Sequence, residues 1–166
     1  DIEPFPGGQY LEYAEVHGKL DRYLPACIEA GYRWIEVSDN IAPVSVQWKQ
    51  KLITEAVEDY GLRVLGEVGR KEGLDNQIPL VDNAIACMDA GATVVLVEAA
   101  ELVSSNAETA AAVDEIVRVI GVEQVMFELP GSWIEGVHAC DIHTMRRQLI
   151  ERYGSQVNIG NVAPEE

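Results

Sequence analysis

Leu62-Arg63-Val64-Leu65-Gly66-Glu67-Val68 is an apolar run that carries a glutamate near its end, and the pattern returns three more times. Trp34-Ile35-Glu36-Val37 precedes it, and Leu96-Val97-Glu98-Ala99 and Met126-Phe127-Glu128-Leu129 follow. The four glutamates lie 31, 31 and 30 residues apart, the length of one strand–helix unit of a parallel sheet. If each unit starts its strand at the same height, Glu36, Glu67, Glu98 and Glu128 collect on one rim. In parallel α/β folds the rim at the carboxyl ends of the strands is where chemistry is done. Nearby carboxylates repel unless separated, protonated or bridged by a cation, and a hard ion such as Mg²⁺ suits oxygen ligands. All four are therefore candidate metal ligands.

Outward from these runs, strands are expected near residues 2–5, 33–37, 62–68, 93–98, 124–128 and 157–161, neighbours in sequence order. Helical spacing fills the intervals. Tyr10 begins a short helix, and Asp21 stands as an N-cap for a second that stops at Gly31. Ser45–Tyr60 places Trp48, Leu52, Ile53, Ala56 and Val57 on one face, and Leu80–Ala90 and Glu108–Ile120 follow. Asp141 is positioned to cap the last, His143–Tyr153. Strict alternation of strand and helix calls for parallel pairing with right-handed crossovers.

A chain of 166 residues with 48% hydrophobic content is long enough for one domain with a real core. The net charge of −16 excludes nucleic acid and anionic membrane as partners. It also repels anionic substrates, so a bound metal or local cations would have to attract one. Cys27, Cys87 and Cys140 are odd in number and far apart, which reads as free thiols in a reducing cytoplasm. His138, Cys140 and His143 match no common zinc spacing and lack a fourth ligand. His17 reads as a surface residue. Lys71, four residues past Glu67, stays on the glutamate side of the sheet if the strand continues, where it could donate a proton; otherwise it is an exposed loop lysine. Pro6-Gly7-Gly8 is a turn whose backbone can approach a ligand closely. Arg146 and Arg147 lie in the first turns of the last helix, as anion ligands or as solvated cations.

Pro6-Gly7-Gly8, Leu11-Glu12-Tyr13-Ala14, Gly18-Lys19, Ile35-Glu36-Val37-Ser38-Asp39 and Glu67-Val68-Gly69-Arg70-Lys71 together resemble the phosphosulfolactate synthase family. Asp89-Ala90-Gly91-Ala92, Val97-Glu98, Phe127-Glu128-Leu129-Pro130 and Val157-Asn158-Ile159-Gly160-Asn161 extend the resemblance over almost the whole chain. It implies a TIM (β/α)₈ barrel and a Mg²⁺-dependent carbon–sulfur lyase that adds sulfite to phosphoenolpyruvate on the route to coenzyme M. It implies that Lys71 is the proton donor, with Glu67 beside it in the catalytic set. Substrate contacts are expected from Gly7, Gly8, Asp39, Glu101, His143, Arg146, Asn158 and Asn161. A cytoplasmic homo-oligomer acting on a small phosphoenolpyruvate-like anion is the expected setting. Against the family's length, residues 1–166 read as a single domain, an incomplete barrel of about six β/α units without the first two strands and the last helix.

The chain also departs from the family pattern. Glu98-Ala99-Ala100-Glu101-Leu102-Val103 has Ala100 where the family carries an arginine, a natural bidentate ligand for oxyanions. Gly131–His138 is an insertion that brings His143 and Arg146 near the family's lysine and glutamine positions, and Gln9 replaces a threonine. These changes fall on the anion site and leave the glutamates and Lys71 in place. The expectation is weak sulfite addition and turnover of a related carboxylated substrate. The alternatives are a non-catalytic, stress-related or binding member of the family, or a lyase or isomerase on another phosphorylated carboxylate.

Overall fold

The computed structural model describes residues 2–39, 42, 44–69, 79–98, 107–131 and 136–162. In chain order its elements are α1 (Gly8–Val16), α2 (Leu20–Glu29), β1 (Trp34–Val37), α3 (Val46–Glu58), β2 (Arg63–Val68) and α4 (Leu80–Asp89). β3 (Val94–Val97), α5 (Ala107–Ile120), β4 (Val125–Glu128), α6 (Ala139–Tyr153) and β5 (Asn158–Gly160) complete them, with a 3-10 turn at Val122–Gln124. The five strands form one sheet in the order β1-β2-β3-β4-β5, and every neighbouring pair is parallel. Strand order that never reverses is the winding of a β/α barrel, whereas a doubly wound sheet reverses at its switch point. The described sheet is an open arc of that type.

Alternation along each strand separates two faces. Ile35, Val37, Val64, Val68, Val95, Val97, Val125 and Phe127 are buried in one continuous core with Leu52, Ile53 and Ala56 of α3, Ala84 and Cys87 of α4, Val113 and Ile116 of α5 and Leu149 of α6. Gly66 allows α4 to approach closely, since a Cβ there would stand 2.8 Å from that of Cys87. Glu36, Glu67, Glu98 and Glu128 take the alternate positions and so face away from this core. No helix among the described residues is long and apolar enough to cross a membrane.

Two expectations about the elements are corrected. Residues 2–5 are not a strand. Pro4 and Pro6 have no N–H to donate to a ladder, and the segment is tethered by a side chain instead. Glu3 accepts from the Trp34 indole N–H and pairs with Arg33 at 2.5 Å, so β1 is the edge of the described sheet. The caps also shift. Asp141 is the third residue of α6 and accepts the His138 backbone N–H at 3.0 Å, while Asp21 lies inside the first turn of α2.

Candidate functional site

Glu67, Glu98 and Glu128 each bring a carboxylate oxygen to one place, within 4.8 Å of one another. They come from the carboxyl ends of β2, β3 and β4, Glu98 lying one residue past β3. Glu67 and Glu98 are buried, at 3% and 8% exposure, and Glu128 is half-buried. Three carboxylates this close form a set of hard oxygen donors whose mutual repulsion a divalent cation would relieve.

Glu36 stands beside this group rather than in it. Its Oε1 accepts the Gly8 N–H at 2.8 Å, which places the amino-terminal end of α1 against the carboxylate. Burial first, and the Glu67 carboxylate next, push Glu36 up to about 8, while the Gly8 hydrogen bond works the other way. Burial and the Glu67 carboxylate thus favour the protonated form over the charged one, which eases the crowding of a fourth carboxyl here. The glycine at 8 is a steric necessity, because a Cβ would stand 2.6 Å from Glu36 Oε1 and 2.6 Å from Ser38 Cβ. Gly7 is the N-cap of α1 and is exposed.

The residues after β1 are tied down by two buried polar groups that the sequence reading passed over. Glu12 on α1, 1% exposed, accepts from Ser38 Oγ–H and from the Ala42 N–H at 2.6 Å. Lys49 on α3, 0% exposed, is ion-paired with Asp39 at 2.8 Å and donates to the backbone carbonyl of Glu67 at 2.6 Å. Asp39, an expected substrate contact, has its side chain 4% exposed against Lys49. A signal for both was present. Lys49 is in phase with Leu52, Ile53 and Ala56, and Glu12 with Gly8 and Leu11, so each polar residue sits on the stripe its helix buries.

The other expected positions separate. Asn161, in the left-handed region at φ 58, donates from its amide to Glu128 Oε1 at 2.7 Å and to the Leu129 carbonyl at 3.3 Å. Asn158 turns elsewhere: its amide is spent on the carbonyls of Val122, Glu123 and Val125, at the amino-terminal end of β4. His143 is exposed and Arg146 half-buried on α6, one beside the other, with Nδ1 of the histidine 3.1 Å from the guanidinium. With Thr144, Arg147, Ile150 and Glu151 they line a surface groove of about 440 Å³. Lys71, Glu101 and Ala100 lie outside the described residues.

Residues 1–166 match the model of a family described as (2R)-phospho-3-sulfolactate synthase (ComA). The chain is 28% identical over 176 residues to the phosphosulfolactate synthase of Methanocaldococcus jannaschii, covering 99% of this chain and 65% of that one. It is 30% identical over 172 residues to that of Methanothermobacter thermautotrophicus, covering 100% and 64%. With the Bacillus subtilis phosphosulfolactate synthase it shares 25% identity over 173 residues, covering 98% and 64%. The chain thus spans just under two thirds of the length of these relatives.

Proposed function

The chain belongs to the (2R)-phospho-3-sulfolactate synthase (ComA) family, and from that premise we propose that it serves a Mg²⁺-dependent lyase acting on a phosphoenolpyruvate-like carboxylate. The observation that carries this reading is the convergence of Glu67, Glu98 and Glu128 at the carboxyl ends of three neighbouring parallel strands. Their donor set, carboxylate oxygens only, fits Mg²⁺ and not a thiolate- or imidazole-seeking metal. When bound, Mg²⁺ supplies positive charge against the negative charge that grows on the substrate carboxylate and its α-carbon.

The chain's own groups do the rest. Asn161 fixes the rotation of the Glu128 carboxylate, and the end of α1 fixes that of Glu36. A nucleophile, for which sulfite is the family expectation, forms its bond to C3 of the enolpyruvate. The electron pair of the C2–C3 double bond moves to C2, and Lys71 returns a proton there. The product is the saturated phospho-carboxylate, with no leaving group expelled.

The test is ³¹P NMR of the chain, in its full native polypeptide, with Mg²⁺, phosphoenolpyruvate and sulfite. Slow formation of phosphosulfolactate is expected, raised by Ala100→Arg, abolished by Glu67→Gln and lowered in kcat by ~10²–10⁴-fold in Lys71→Ala. Binding of Mg²⁺ and phosphoenolpyruvate without any turnover would assign the chain to the non-catalytic members. Absence of Mg²⁺ binding would remove the metal-site reading.

A further inference from the structure

Lys49 is a charged residue with no exposed surface, deep in a chain that carries only 12 lysines and arginines. Burying an ammonium is costly unless it is paired and hydrogen-bonded, so its partners reveal its use. On β2, the carbonyls of Val64 and Val68 accept from Thr93 and Glu98, on the β3 side. The intervening odd-numbered carbonyls, that of Glu67 among them, therefore point toward β1. The β1–β2 register ends at Val37↔Gly66. Beyond that last pair, the Glu67 carbonyl would meet the backbone of Asp39 if β1 continued, but β1 ends at Val37. The Lys49 ammonium takes the vacated position, 2.6 Å from the Glu67 oxygen and 2.8 Å from the Asp39 carboxylate. Asn83 closes the ring, with Oδ1 3.5 Å from Lys49 Nζ and Nδ2 3.5 Å from Asp39 Oδ2.

We infer that Lys49 is a positioning residue of the glutamate site: its ammonium acts as one further, side-chain rung of the β1–β2 ladder and fixes where Glu67 stands relative to Glu36. The inference rests on the reading of that site as a cation site. It goes beyond it by assigning the placement of Glu67 to a group that touches neither metal nor substrate. The geometry is suited to the task. Asp39 lies two residues past β1, Lys49 on α3 and Asn83 on α4, so the rung ties the segment after β1, the start of α3 and the start of α4 to the carbonyl of the ligand residue itself. Groups that orient ligands in this way typically govern metal affinity by ~10–100-fold.

The experiment compares wild type, Glu67→Gln and the charge-free double variant Lys49→Met/Asp39→Asn by Mn²⁺ titration with electron paramagnetic resonance. Amide hydrogen exchange is followed on the same samples without metal. The folded double variant should bind Mn²⁺ ~10–100-fold more weakly, with faster exchange in β1 and β2 and unchanged exchange in β3 and β4. A folded double variant that binds Mn²⁺ as wild type does overturns the inference, since a merely structural lysine would cost stability alone. If the double variant does not fold, Asn83→Ala replaces it, leaving both charges paired; an affinity at least threefold weaker is expected, and an unchanged one overturns. If wild type itself binds no Mn²⁺, the cation-site reading has failed separately. The rung is then judged by exchange alone, and unaltered protection of β1 and β2 overturns it.

Discussion

The two flanks of the glutamate group are built differently. On the β1–β2 side, five of the six residues of β2 are buried, and Glu12, Ser38, Lys49 and Asn83 are polar groups fully enclosed. On the β4–β5 side, β5 has no buried residue and α6 buries only Leu149 among its fifteen. Glu128 is the most exposed of the three converging carboxylates. The difference teaches where rigidity and access lie. A carboxylate whose backbone is held by a buried ion pair keeps its place, and the carboxylate that still meets water lies on the less buried flank.

Substitutions can break this contrast or sharpen it. The largest effect is expected at the buried flank. Lys49→Met alone strands the Asp39 carboxylate in a dry interior and should cost about 3–5 kcal/mol in urea unfolding. Arg147→Ala, which removes an exposed 3.6 Å pair with Glu151 on α6, should stay within ~0.5 kcal/mol. Equal costs would mean that the two flanks are alike.

Gly8→Ala comes next. Alanine is favoured over glycine in a helix by ~1 kcal/mol, yet here its Cβ would press on Glu36 and Ser38. Net destabilisation of about 1–3 kcal/mol by thermal unfolding is expected, and a stabilised protein would show that α1 is free to move off the rim. On the open flank, Asn161→Gly and Asn161→Ala both lose the bond to Glu128. The alanine should be the less stable of the two by about 1 kcal/mol because of the left-handed backbone at φ 58. Equal stabilities would indicate that this end of the sheet relaxes freely. The smallest effect is chemical. At pH 8 iodoacetamide should label Cys140, which is exposed, while burial pushes Cys87 up to about 11 and also raises Cys27. Peptide mass spectrometry that found Cys87 labelled in the folded protein would show the α4–β2 contact opening.

The placement of the glutamates was legible because it depends on two periods, thirty residues per unit and two per side-chain alternation, that composition does not blur. The segment at Ile2–Phe5 misled, since its apolar residues suggest a strand while Pro4 and Pro6 deny it the donors. Lys49 was missed for a different reason. A lysine is assumed to face water, so the stripe of α3 was drawn through Trp48 and Val57, whereas the fully buried stripe runs Lys49, Leu52, Ile53 and Ala56. A polar residue in core phase near the start of a helix is the signal, and Asn83 in α4 repeats it at the same fourth position. Asn158 and Asn161 lie three residues apart in one short motif, yet their amides serve opposite ends of β4, a division set by the turn after β5 that no local pattern announces.

The register of the sheet carries one more consequence. Glu36 is paired with Leu65, two residues before Glu67, and Glu67 is paired with Leu96, two residues before Glu98. Val97 is paired with Phe127, so the step from Glu98 to Glu128 is level. In a barrel of tilted strands, residues on the same rung do not share a height; staying level requires climbing along the strands by about one residue per strand in an eight-strand barrel of shear 8. A climb of one would turn a side chain to the wrong face, so the ascent comes in strides of two or none. The carboxylates thus follow an arc drawn across slanted staves, and inserting or deleting a single residue in any one strand would drop that strand's acid out of the arc altogether.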